Sequence, residues 1–171
     1  MKSYKQFIKE SKTDIHSICN QYNITNYTIN PDGSIDVEGN VYLDYQIINN
    51  ASLTKLPLRF RNVSGHFDCS NNELTSLEGG PQSVGGHFDY RNNKLVNLNG
   101  FPEFFENEVY LSNNPVQEIY DLFGTFKCIN WLNEFDVIQG NSVIMDRLEE
   151  VYHQLGMEMP ENIKLKNYEI I

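Results

Sequence analysis

His66 and His87 stand 21 residues apart, and Glu108 stands another 21 further on. Two imidazoles and a carboxylate are donors that a divalent metal accepts. Spacing this regular, however, follows from the copying of one repeat, and no further ligand joins the column. Asp68 and Asp89 share the same offset. Paired carboxylates do acid–base work when burial or a like charge shifts one of them, and nothing in the sequence marks either as desolvated. Cys69 follows His66 by three residues, which puts the two on opposite faces of a strand and leaves the thiol beside Phe67 in a core column. Gly79-Gly80 and Gly85-Gly86 do not follow the Gly-x4-Gly-Lys-Ser/Thr order of a phosphate loop. The expectation is therefore a protein with no catalytic set, no metal site and no cofactor.

The elements that carry these residues repeat. His66-Phe67-Asp68-Cys69-Ser70-Asn71-Asn72-Glu73-Leu74-Thr75-Ser76-Leu77 recurs as His87-Phe88-Asp89-Tyr90-Arg91-Asn92-Asn93-Lys94-Leu95-Val96-Asn97-Leu98. It recurs again, more loosely, from Glu108 to Ile119. The shared frame is apolar-x-apolar-x-x-Asn-x-apolar-x-x-apolar. Two alternating apolar residues point inward from a short strand. The Asn turns in at the bend, where its amide satisfies backbone groups that would otherwise be buried unpaired. The last two apolar residues fill the back, and neighbouring copies must stack because one copy cannot bury its own face. An earlier copy starts at Val41. From Val41 to Phe67 is 26 residues, five more than the period, so an insertion lies within Tyr45 to Ser52. The frame resembles the leucine-rich repeat.

Flanking segments read as covers for the two open ends. Upstream, Tyr4, Phe7, Ile8, Ile15, Ile18 and Cys19 keep helical spacing. Tyr27 to Val37 reads as a hairpin around Pro31-Asp32-Gly33. Downstream, Val116–Phe123 and Lys127–Phe135 read as short helices. Ser142–Leu155 reads as a longer one, capped by Asn141 or Ser142 and ended by Gly156. Ile163 to Ile171 reads as a strand or extended tail. The fold class expected is thus α/β: a short leucine-rich-repeat-like parallel β-solenoid of about four coils with a 21-residue period, an N-terminal helix and hairpin cap, and a C-terminal helical cap. Residues 1–39, 40–119 and 120–171 form these three parts of one domain.

Alternation places Tyr42, Asp44, His66, Asp68, Ser70, His87, Asp89, Arg91, Glu108 and Tyr110 on the outward side of the strands, as a polar panel suited to partner binding. Thirteen Lys and Arg against 23 Asp and Glu give a net charge of −10. That balance argues against tracking nucleic-acid phosphates and against docking on an anionic membrane. Cys19, Cys69 and Cys128 show no pairing pattern and read as reduced thiols. Met1 to Glu10 lacks the apolar core of a secretory signal.

From about Asn26 onward the chain resembles leucine-rich-repeat-like proteins of tailed bacteriophages. The resemblance rests on Asp32-Gly33-Ser34-Ile35-Asp36-Val37-Glu38-Gly39, on Leu53-Thr54-Lys55-Leu56-Pro57-Leu58, on the Asn-Asn-x-Leu repeats, and on Leu132-Asn133-Glu134-Phe135-Asp136-Val137-Ile138 with Leu148-Glu149-Glu150-Val151. It implies a phage gene product without an agreed activity. Met1-Lys2-Ser3-Tyr4-Lys5-Gln6-Phe7-Ile8-Lys9-Glu10 is similar to the capsid-targeting peptide of T4-like internal head proteins, which implies a processing site at Ile8, Glu10 and Ser11. The leading expectation is a non-enzymatic module that occupies a host bacterial protein in the host cytoplasm, through the panel and the 45–52 loop. A packaged head protein cleaved after Glu10 and delivered from the virion interior is the alternative. An acidic DNA mimic ranks lower.

Overall fold

Glycines divide each repeat into two strands. A Cβ on Gly65 would lie 2.8 Å from the carbonyl carbon of Gly39, and one on Gly86 would lie 2.8 Å from that of Gly65. Main chains that close can stack only where side chains are absent. At this corner the chain leaves one sheet and enters a second.

The computed structural model describes residues 14–45 and 52–171. In chain order it contains a helix whose described part is 14–21 (α1), β1 (Tyr27–Ile29), β2 (Ile35–Val37), β3 (Val41–Tyr42), β4 (Phe60–Val63), β5 (Phe67–Asp68), β6 (Ser83–Val84), β7 (Phe88–Asp89), β8 (Phe104–Phe105) and β9 (Val109–Tyr110). There follow α2 (Gln117–Asp121), α3 (Cys128–Glu134), β10 (Ile138–Gln139), β11 (Ser142–Val143), α4 (Met145–Gln154) and β12 (Glu169–Ile170). Five strands form one sheet in the order β1-β2-β4-β6-β8, four form a parallel sheet β3-β5-β7-β9, and three form β10-β11-β12.

The chain is therefore a mixed α/β protein, with three small sheets among the described residues, and the expected leucine-rich-repeat-like parallel β-solenoid with separate caps is corrected. The stretches that the repeat frame leaves between its copies contain β4, β6 and β8, which build a second sheet. The hairpin is no detached cap, because β1 pairs antiparallel with β2, and β2 pairs parallel with β4. The C-terminal part is not purely helical. Gly140, at φ 60°, turns β10 into antiparallel β11, and β12 joins β11 in parallel. Strand β11 also displaces the expected helix start. Helix α4 begins after Ile144, without a side-chain cap, and Gly156 at φ 64° follows its end.

Within the parallel sheet the registers are Val41↔Phe67, Phe67↔Phe88 and Phe88↔Val109. Phe67, Phe88 and Tyr90 are fully buried, with Phe67 and Phe88 ring centroids 5.6 Å apart. Each buried side chain of this size contributes about 1.5–3 kcal/mol. Behind them lie Leu74, Leu77, Leu95, Leu98, Val116 and Ile119, all 0–1 % exposed. Asn72, Asn93 and Asn114 bind the copies together. The Asn93 amide donates to Cys69 O and Tyr90 O at 3.0 Å, and its Oδ1 accepts the Leu74 N–H at 3.0 Å. Asn72 and Asn114 repeat this arrangement.

Candidate interaction face

The parallel sheet sets residues of successive strands side by side, about 4.8 Å apart. In the first column the His66 and His87 rings stack, with centroids 4.9 Å apart and planes 6° from parallel. The His87 backbone N–H donates to His66 Nδ1 at 2.8 Å, and the His66 N–H donates to Asn40 Oδ1 at 2.8 Å. Accepting at Nδ1 places the neutral ring proton of His66 on Nε2. His87 Nδ1 is buried and has no partner among the described residues.

The second column is Tyr42, Asp68, Asp89 and Tyr110. Tyr42 is 41 % exposed and accepts a hydrogen bond from Asn40 Nδ2 at 2.9 Å. The Tyr110 hydroxyl donates to Glu108, and this bond raises the phenol's pKa. His87 and Tyr110 approach to 5.7 Å between centroids. Arg91 donates from Nε to both Asp89 oxygens at 3.0 and 3.1 Å, and its guanidinium carbon lies 4.9 Å from the Tyr110 ring centroid. Rings and an arginine are thus held in one orientation before any partner arrives.

Three of the expected panel residues are not free. Asp44, Ser70 and Asp89 are buried at 8, 4 and 9 % exposure. The Ser70 hydroxyl donates to Asp44 Oδ2 at 3.2 Å, and the Ser70 N–H donates to Asp68 Oδ1 at 2.9 Å. Alternation assigns these residues to the outer side, but their neighbours cover them. Burial raises the pKa of Asp68, and the nearby Asp89 and Asp44 add to the rise.

Sequence reasoning missed a row of amides beside the panel. Asn113 Nδ2 donates to Asn92 Oδ1 at 2.6 Å, Asn92 Nδ2 to Asn71 Oδ1 at 2.7 Å, and Asn71 Nδ2 to Asp44 Oδ2 at 2.6 Å. These residues have φ of 59°, 55° and 55°, a conformation Asn tolerates better than most side chains. The signal was present: the first Asn of each Asn-Asn pair repeats with the period.

His66 Nδ1 is already occupied by the His87 backbone N–H. Among the described residues no group of three or more His, Cys, Asp and Glu side chains is arranged to hold a metal ion. Cys69 is fully buried, with its thiol pKa pushed well up by burial, and Cys128 is pushed up to about 12 for the same reason. Neither is a ready thiolate. Among the described residues no helix is long and apolar enough to cross a membrane. Residues 46–51 of the expected contact loop, and Ile8, Glu10 and Ser11 of the expected processing site, lie outside the described residues.

What the fold and this face define is a mixed α/β protein carrying a pre-ordered polar and aromatic surface on a four-stranded parallel sheet. No family model, curated protein or solved structure matches the chain.

Proposed function

We propose that the chain is a non-enzymatic protein-binding module and that Tyr42, His66, His87, Arg91 and Tyr110 form the centre of its contact surface. The observation that carries this reading is the pre-ordering of His66, His87 and Tyr110 by ring contacts, of Arg91 by its pair with Asp89 and of Tyr42 by the Asn40 bond. Side chains already fixed lose little rotamer freedom on binding. Tyr and Arg are also the types that anchor protein interfaces. The sequence resemblance to tailed-bacteriophage proteins supports a partner from the bacterial host, met in its cytoplasm.

A standard interface uses about 20–30 residues on each side. The outward positions of four short strands are fewer, so the partner also reaches the 45–52 insertion or a flanking element. The test compares the intact protein with a Tyr42→Ala/Tyr110→Ala variant as baits in bacterial host lysate, after thermal melts have shown both to be folded. One host protein retained by the first and reduced at least tenfold with the second is the expected result. Equal capture by both baits refutes this face as the contact surface.

A further inference from the structure

Among the described residues, no strand pairs with the outer edges of β8 and β9, which end the two repeated sheets. In the parallel sheet, Phe88 N–H donates to Glu108 O at 3.0 Å and Tyr90 N–H to Tyr110 O at 3.0 Å. Hydrogen bonds on a strand alternate between its two sides. The N–H and C=O of Val109 and the N–H of Leu111 therefore face away from β7, and no described residue pairs with them. In the other sheet, the N–H groups of Phe104 and Glu106 donate back to Gln82 O and Val84 O. Phe105 accordingly faces outward with both its backbone groups. One turn of chain thus presents two adjoining unpaired edges, a template for a further strand.

Carboxylates outnumber cations beside this template, where Arg91, already paired with Asp89, lies 4.9 Å from the Tyr110 ring centroid. Glu103, Glu106 and Glu108 are exposed, and no described Lys or Arg pairs with them. Between Arg91 and Lys127 the sole cation is Lys94, which is 3.2 Å from Glu73 in an ion pair. A second copy of this chain, at net charge −10, is repelled from such an edge. A basic strand is attracted.

We infer that the outer edge of β9, with the adjoining β8 edge, binds an extended lysine- or arginine-rich segment of a partner protein by strand addition. Main-chain hydrogen bonds to Val109 and Leu111 supply the common part of the affinity. Glu103, Glu106 and Glu108 select the basic sequence. This edge adjoins the ring-bearing face at Tyr110, whose hydroxyl donates to Glu108, and Tyr42 on β3 stands at the opposite end of the parallel sheet.

The probe is a blocked alternating Lys-Val hexapeptide, titrated into the isotopically labelled full chain. An alternating Glu-Val peptide and a Lys-Val peptide N-methylated at alternate residues are the controls. The expected result is a shift of the Val109 and Leu111 amides with at least tenfold slower hydrogen exchange, by the Lys-Val peptide alone, weakening as salt is raised. Val109→Pro removes a donor that β7 does not use, a position where an edge strand accepts proline; binding is lost while the melting temperature holds. Glu103→Gln/Glu106→Gln/Glu108→Gln keeps the backbone and weakens binding at least tenfold, so the test survives a proline variant that fails to fold. Tyr42→Ala, on β3 at the opposite end of the parallel sheet, leaves Lys-Val binding within about twofold. The inference is overturned by shifts centred on His66 and Arg91, by equal binding of the Glu-Val or N-methylated peptide, by absence of any shift at millimolar peptide, or by sedimentation showing that the edge is occupied by a second copy.

Discussion

The repeated region, from β2 to Val116, and the C-terminal region, from α2 onward, are held together in different ways. In the repeated region the main chain itself is the packing surface. Backbone of one copy lies against backbone of the next, and the amides of Asn72, Asn93 and Asn114 bond to carbonyls up to 29 residues away. In the C-terminal region a small sheet pairs through main chain, but the helices pack through side chains. Phe123 packs on Tyr152 at 4.7 Å, Trp131 stacks on Phe135 at 5.6 Å, and α3 lies against α4. Side chains give way by changing rotamer, whereas stacked backbones do not. A residue in the repeat must also fit the copy before it and the copy after it, which makes that region the less tolerant of the two.

Glycines break the comparison open most forcefully. Gly100 has φ 85°, and a Cβ there would meet the Leu77 carbonyl oxygen at 2.0 Å. Gly140 has φ 60° and open space around it. Gly100→Ala must move backbone in two copies, so we expect a loss of roughly 3 kcal/mol or more. Gly140→Ala meets only the strain of its positive φ, about 1 kcal/mol. Urea unfolding of both variants measures the difference. Equal losses would mean that backbone stacking does not set the tolerance of the repeat.

The next largest contrast is between asparagines. Asn93→Ala leaves the buried Leu74 N–H unpaired and takes one of two amide donors from each of the Cys69 and Tyr90 carbonyls, which Asn72 and Asn114 still serve, at a cost of about 2 kcal/mol. Exposed Asn133 on α3 makes no side-chain bond to a described residue, and Asn133→Ala stays within about 0.5 kcal/mol. Denaturant melts followed by circular dichroism check both. A mild Asn93→Ala would show that water replaces the amide, and that the repeat is more open than its hydrogen bonds imply.

The parts that were legible in the sequence are those with a period long enough to count. The Phe67/Phe88/Val109 column and the inward Asn appear directly at offset 21, and the pairing registers follow them. The helices α2 and α3 were visible from apolar spacing. The second sheet was overlooked although Val63, Val84 and Phe105 also repeat at 21. Its strands β6 and β8 are two residues long and stand among Gly and Pro, so local composition reads as turn. The β10–β11 hairpin was lost for a related reason, since Ser142 and Val143 fit the helical pattern of the residues after them. On the face, alternation identifies the side on which Asp44 and Asp89 lie. It carries no information on whether Ser70, Asn71 or Arg91 then covers them.

The repeat itself has two sides, and pH separates them with the smallest effects. Asp36 on the five-stranded sheet receives a hydrogen bond from Arg61 Nε at 2.9 Å, and this pairing, chiefly, lowers its pKa. Asp68 on the parallel sheet is raised, chiefly by burial. The signs are opposite. A lowered folded-state pKa means that ionised Asp36 stabilises the fold above the usual carboxylate range near 4, and that this contribution disappears as pH falls through the lower folded value. A raised pKa means that ionised Asp68 costs stability at neutral pH, with relief beginning above pH 4 and complete below it. At pH 7, Asp36→Asn lowers the melting temperature by about 1–3 °C, since a partly exposed pair is worth little. Asp68→Asn, which keeps an oxygen acceptor for the Ser70 N–H, raises it by about 1–3 °C. On titration to pH 3 the Asp68→Asn difference closes first, and the Asp36→Asn difference persists to lower pH. Calorimetric melts at pH 7, 5 and 3 show the crossing. Curves that close together would mean that both carboxylates see solvent alike, and that the parallel sheet does not desolvate the face it presents.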